Sequence, residues 1–140
     1  ATTTRRLTVK VLEPPSDFQA IGSRAKFPCI FFGCPGAKTG YMDFGWTKLI
    51  PGPGQQISLE VNIIEGANVG ICWDNASRIV PQSAGTGYQR WRWEEPNLDI
   101  LNLGKTFCSG TKYEYKMRAR VTSGGTTEIG SWGPTKYWNV

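Results

Sequence analysis

The chain has 140 residues, 39% hydrophobic and 19% charged, with a formal net charge of +5. That is enough apolar material to bury the core of one domain and too little charge for a disordered chain. The basic residues are scattered, so no nucleic-acid tail is visible, and no apolar stretch reaches the roughly 18 residues of a membrane span.

The chain opens at Ala1 without a visible signal peptide, as expected of a processed secreted chain or of one whose initiator Met was clipped. "TTTRR" is the only candidate arm, and its two arginines would neutralise few phosphates. "RRLTVKVLEPP" places Leu7, Val9 and Val11 on one face and Thr8 and Lys10 on the other, then stops at a double proline. Residues 13 to 49 are irregular and aromatic, through "PPSDF", "FPCIFFGCPG" and "YMDFGW". They read as extra strands of the same fold or as an aromatic lobe packed against it. "GCPGAKTG" lacks P-loop spacing and reads as a turn. "IPGPGQQ", residues 50 to 56, marks a turn or linker.

Period two then dominates. "ISLEVNII" turns Ile57, Leu59, Val61 and Ile63 inward, and "NVGICW" offers Val69, Ile71 and Trp73. "YQRWRW" separates Trp91 and Trp93 from Tyr88, Arg90 and Arg92. "NLDILNL" suits a turn of helix or a bent strand. "YEYKMRARV" alternates Tyr113, Tyr115, Met117, Ala119 and Val121 with Glu114, Lys116, Arg118 and Arg120, the last three expected outside. "TSGGTTEIGSWGPTKYWNV" supplies a glycine turn and a last strand over residues 135 to 139. Short strands punctuated by Gly, Pro, Asn and Ser predict one all-β domain over 1–140, an antiparallel β-sandwich or small barrel. Residues 1–53 form its arm and aromatic lobe, and 54–140 its regular core.

Cys29, Cys34, Cys72 and Cys108 are an even count in a small, loop-rich chain, which reads as two disulfides in an extracellular setting. Four buried free thiols are the competing reading. Three connectivities are open, and the working hypothesis pairs Cys29 with Cys34 and Cys72 with Cys108. Zinc is disfavoured, because "CIFFGC" is too widely spaced and the chain has no histidine.

From about Gln55 onward the order of features resembles a fibronectin type III domain. "GANVGICWDNAS" looks like that family's second strand, with Trp73 as its core tryptophan. "TGYQRWRW" resembles the third strand, and "FCSGTKYEYKMRARV" is the best match, with Ser109 where proline is common. The resemblance implies an immunoglobulin/fibronectin type III-like sandwich carrying an irregular aromatic N-terminal extension. It implies that Tyr113 is a tyrosine-corner residue whose hydroxyl bonds back to the backbone. It also implies that the strands over Tyr88 to Trp93 and Tyr113 to Val121 are neighbours, and that the domain recognises or spaces rather than catalyses.

Without histidine, the common triads and the commonest general base are gone. Glu94 and Glu95 adjoin, so in a strand they face opposite ways, and Asp43, Asp74 and Asp99 read as turn or surface residues. No catalytic residue, metal ligand or cofactor is expected. Arg90 and Arg92 with Lys116, Arg118 and Arg120 form a candidate binding face for an acidic partner, if their strands adjoin. "NAS", Asn75 to Ser77, is a candidate N-glycosylation acceptor. The expected function is a structural or interaction protein, a subunit or surface module of an extracellular or virion-type assembly. A carbohydrate-binding module using exposed Trp46, Trp91, Trp93, Trp132 or Trp138 is the alternative.

Overall fold

A computed structural model describes residues 13–25, 40–65, 73, 75–94, 107–108 and 110–140. In chain order the strands are β1 (Gln19–Arg24), β2 (Tyr41–Thr47), β3 (Gln55–Glu65), β4 (Ala76–Pro81), β5 (Tyr88–Glu94), β6 (Lys112–Ser123), β7 (Thr126–Ile129) and β8 (Lys136–Asn139). Among the described residues there is no helix, and so none long and apolar enough to cross a membrane. The strands form two antiparallel sheets, β1-β2-β5 and β4-β3-β6-β7, with β8 also on β6. The fold is all-β and sandwich-like.

Alternation explains the packing. Ile57, Leu59, Val61 and Ile63 of β3 and Tyr113, Tyr115, Met117, Ala119 and Val121 of β6 are all buried. β3 and β6 run together for eleven pairs, from Gln55 opposite Ser123 to Glu65 opposite Tyr113. Their inward residues therefore make one continuous apolar floor. The other sheet covers it with Met42, Phe44 and Trp46 of β2 and Trp93 of β5, none more than 2% exposed. Phe44 bridges the layers: it stacks on Phe18 and meets Tyr115 edge-on, with both pairs of ring centroids 5.4 Å apart.

Of the two readings left open for residues 13 to 49, the described part is additional strands. β1 looks irregular in sequence because a register shift falls between Ala20 and Gly22, while β2 is regular, with Gly45 in phase as the one position without a side chain. "IPGPGQQ" is a turn and not a linker, since β2 and β3 share one core. The Gln55 N–H donates to Gly52 O, and Gly54 has φ +70. The glycine turn after β6 is a two-residue hairpin: Ser123 pairs with Thr126, and Gly124 and Gly125 both take positive φ.

The expected tyrosine corner is present. Tyr113 is fully buried, and its Oη accepts the Cys108 N–H at 2.9 Å. The strand partners differ from those the resemblance implies. β5 pairs with β2, and β6 pairs with β3, β7 and β8. The predicted strand at Leu7 to Val11, the "FPCIFFGCPG" and "NLDILNL" segments, Val69, Ile71, Asp74, Glu95, Asp99, Ser109, Cys29, Cys34 and Cys72 lie outside the described residues. Cys108 lies within them and is not a free thiol.

Candidate interaction surface

The two cationic rows do not share a face. Arg90 and Arg92 point away from the core on the three-stranded sheet, while Lys116, Arg118 and Arg120 point away from it on the five-stranded sheet. With β5 beside β2, the rows lie on opposite outsides of the sandwich. Nor are the β6 cations exposed as expected; all three are half-buried. Glu60, directly across the ladder on β3, takes Arg118 at 2.8 Å and Arg120 at 3.0 Å. Lys116 and Arg118 also lie over the Trp132 ring, 4.7 and 4.2 Å from its centroid. On that face Arg118 and Arg120 share one carboxylate, and Lys116 and Arg118 lie on Trp132, so its cations are engaged within the fold.

Beside it, Asn62, Ile64, Glu114, Tyr115, Lys116 and Thr135 line a hollow of about 50 Å³. That holds a few waters and is far below a substrate site. Among the described residues no three His, Cys, Asp or Glu side chains converge as metal ligands.

The outside of the three-stranded sheet is built differently. Asp43 is neither turn nor plain surface. It sits in β2 opposite Arg92, which forks onto its two carboxylate oxygens at 2.8 and 3.1 Å. This bond, with the carboxylate's charge, holds the Arg92 guanidinium above its ordinary pKa. The same guanidinium lies 3.7 Å from the Tyr41 ring centroid, and that of Arg24 on β1 lies 4.8 Å from it. Tyr41 is thus held by one cation from each neighbouring strand. Gly45 follows on this face, and the Tyr88 ring rests on it: a β-carbon there would fall 2.0 Å from the Tyr88 hydroxyl oxygen. Tyr88 is 48% exposed even so. Arg90, opposite Gly45 and between Tyr88 and Arg92, is exposed and makes no ion pair among the described residues.

The tryptophans named for carbohydrate stacking are elsewhere. Trp46 and Trp93 are in the core, and Trp91 packs on Phe44 and Trp93 from a half-buried position. Trp138 packs against the core and donates to Ser23 Oγ, and Trp132 is capped by Lys116 and Arg118. Among the described residues the exposed aromatic rings are Tyr88 and Tyr137. Sequence reasoning placed Arg90 and Arg92 on the outside but missed Tyr41, Asp43 and Gly45. The signal was present: "YMDFGW" alternates Met42, Phe44 and Trp46 with those three.

Asn75 is exposed at the start of β4 with φ +46. The buried Asn62 amide donates to Asn75 Oδ1, Ala76 O and Ser77 Oγ. The triplet is therefore held at the start of a strand, with Asn75 in the bend before it and Ala76 and Ser77 paired to β3.

No protein-family model, no curated protein and no solved structure matches this chain.

Proposed function

We propose that the protein is a non-catalytic structural or interaction protein, a subunit or surface module of an extracellular or virion-type assembly that works through protein–protein contacts. The observation that carries this reading is the outer face of the three-stranded sheet. There Tyr41, Tyr88, Arg24, Arg90 and Arg92 stand together, and four of the five are held in place by stacking, by Asp43 or by Gly45. Tyr and Arg are the residues that dominate interface energetics. Holding them before contact lowers the ordering cost of association. Arg90 adds an uncompensated charge to steer an acidic partner. The tyrosine corner supports kinship with the immunoglobulin and fibronectin type III sandwiches, and the β2–β5 pairing departs from that plan.

A carbohydrate role draws on one observation, the exposed Tyr88 ring beside Arg90. A glycan array separates the two readings. The test of the first is the mass of the native particle together with a Tyr88→Ala/Arg90→Ser double variant. The expected result is weaker association with an unchanged Tm. A variant that associates as tightly as the parent removes this face from the reading.

A further inference from the structure

Three connections make up one end of the sandwich. The β2–β3 loop (residues 48 to 54), the β4–β5 loop (82 to 87) and the β6–β7 turn (Gly124 and Gly125) lie together there, because Thr47 pairs with Tyr88 and Gln55 with Ser123. The links from β1 to β2, β3 to β4 and β5 to β6 start and finish at the other end of the strands. The three connections read "KLIPGPG", "QSAGTG" and "GG", and Lys48 is the one charged residue in them. Its Nζ is held on Ala84 O at 3.0 Å. Asp17, of opposite sign, accepts from the amide and hydroxyl of Thr47 next to it.

This end is also stiff. Both backbone groups of Leu49 are bonded to the Gln82 amide, at 2.9 and 2.8 Å, and the Lys48 N–H donates to Gly87 O. Gly52 to Gln55 is a type II turn: the Gln55 N–H returns to Gly52 O, Pro53 stands second, and Gly54, third, has φ +70. The Gly52 N–H donates to Gln55 Oε1 at 2.8 Å, and a β-carbon on Gly52 would fall 2.9 Å from that oxygen. Ile50 and Pro51 stand between these two fixed points. Pro51 locks its own φ and confines Ile50, the residue before it, to extended backbone. Ile50 is 79% exposed, more than any other large hydrophobic residue among those described. A single apolar side chain in water is ordinary. One fastened on both sides, at the tip of an end with so little charge, loses little further freedom on contact.

We infer that this end joins two copies of the chain about a two-fold axis, with Ile50 of each packed on residues 49 to 53 of the other. Charge selects the partner. The chain carries +5, so two copies repel where their charged surfaces face each other. Meeting at this end, their loops bring together only Lys48, already held on Ala84 O. A two-fold contact uses the same patch on both copies, so the patch must match itself. An apolar tip does so, and a cationic face such as that of Arg90 does not. The contact goes beyond the assembly reading, because it lies on a different surface from Tyr88 and Arg90 and closes in a pair.

The test is sedimentation equilibrium of the full chain over a wide range of concentration, with Ile50→Asp beside the parent. The parent is expected to pair as concentration rises, and added salt should not weaken the pair, since it screens the repulsion and breaks no ion pair. Each pair holds two copies of Ile50, so the variant should need a concentration roughly hundredfold higher or more, with the Tm of the monomer unchanged. Photo-leucine at position 50, in an equal mixture of ordinary and nitrogen-15-labelled chain, should give mixed-isotope cross-links to the peptide that holds residues 49 to 53. A parent that stays monomeric at every concentration, an Ile50→Asp variant that associates as tightly as the parent, or mixed-isotope cross-links confined to other peptides overturns the inference. The assembly reading is judged separately: Tyr88→Ala/Arg90→Ser should leave this pair intact. A pair broken by that double variant and not by Ile50→Asp overturns the inference and moves the contact to the three-stranded sheet.

Discussion

On the side where β1 meets β8, backbone groups of one sheet are bonded by side chains of the other. Phe18, Phe44 and Tyr115 fill the space between them with rings in mutual contact. On the side where β4 and β5 lie, the described hydrogen bonds between the sheets gather at one end. There Gln82 exchanges two bonds with Leu49, the Lys48 N–H bonds Gly87 O, and Gln89 holds Ser83. At the other end Arg78 of β4 lies over the Trp93 ring of β5. The difference shows that, among the described residues, the two long sides of a small sandwich can be fastened by different means.

The strongest test of that contrast is a pair of truncations. Phe44→Ala, on the closed side, should cost about 3–5 kcal/mol in denaturant unfolding, since a fully buried ring leaves a cavity between both sheets. Trp91→Ala, on the open side, should cost less than Phe44→Ala although it removes a larger ring, because Trp91 is only half-buried. Equal costs would mean that the two sides are equally closed.

Next in size is Tyr115→Phe. It removes one oxygen and leaves the buried Ala20 N–H without its acceptor, which should cost about 1–3 kcal/mol. A neutral result would show that the cross-sheet stitch is unimportant. Burial raises the Tyr115 phenol above its ordinary value despite the opposing bond from Ala20. Its stability contribution is therefore complete below the unfolded pKa and is lost as pH rises through the folded one.

A third, smaller effect sits at the closed end. Burial works to raise the Asp17 carboxyl, but the Thr47 hydroxyl, the Thr47 amide, its own amide and Lys136 outweigh it, and its pKa is lowered. A lowered carboxylate stabilises above its unfolded pKa, and that contribution is lost as pH falls through the folded value. Comparing Tm against pH for the parent and Asp17→Asn should show the curves converging in acid. Parallel curves down to the most acidic pH would rule Asp17 out as the cause. Smallest of all, Arg90→Ser on the open face should change stability by no more than about 0.5 kcal/mol. A large loss would mean that Arg90 is structural.

The alternation of β3 and β6 was readable because each inward apolar residue but Ile63, which precedes Ile64, is followed by a polar or charged one, with no glycine to blur the period. β5 was readable for the same reason, down to which side carries Trp93. What a period cannot carry is who sits opposite. Glu60 is 58 and 60 residues from its two arginines, and Asp43 is 49 from Arg92. The β6 cations therefore looked free when they are paired. The family resemblance, which implied β5 beside β6, did not supply the partner either; the ladder pairs β5 with β2. β1 was hidden for a local reason, since the irregularity near Gly22 breaks the count by one position, whereas β2 keeps its alternation through Gly45.

One consequence of the three-stranded sheet is mechanical. The chain enters it at β1, and its far edge is β5, so a pull between Pro15 and Glu94, which lie toward opposite ends of the strands, runs through two ladders in series. The five paired positions of β1 and β2 and the seven of β2 and β5 would be loaded along their strands. Antiparallel bonds stand perpendicular to such a pull and must give way together, as rivets in a lap joint do. The β3–β6 floor lies outside that path, and its eleven pairs would feel the tension through the rings of Phe18, Phe44 and Tyr115 and through the bonds of Tyr115, Lys136 and Trp138 to the other sheet.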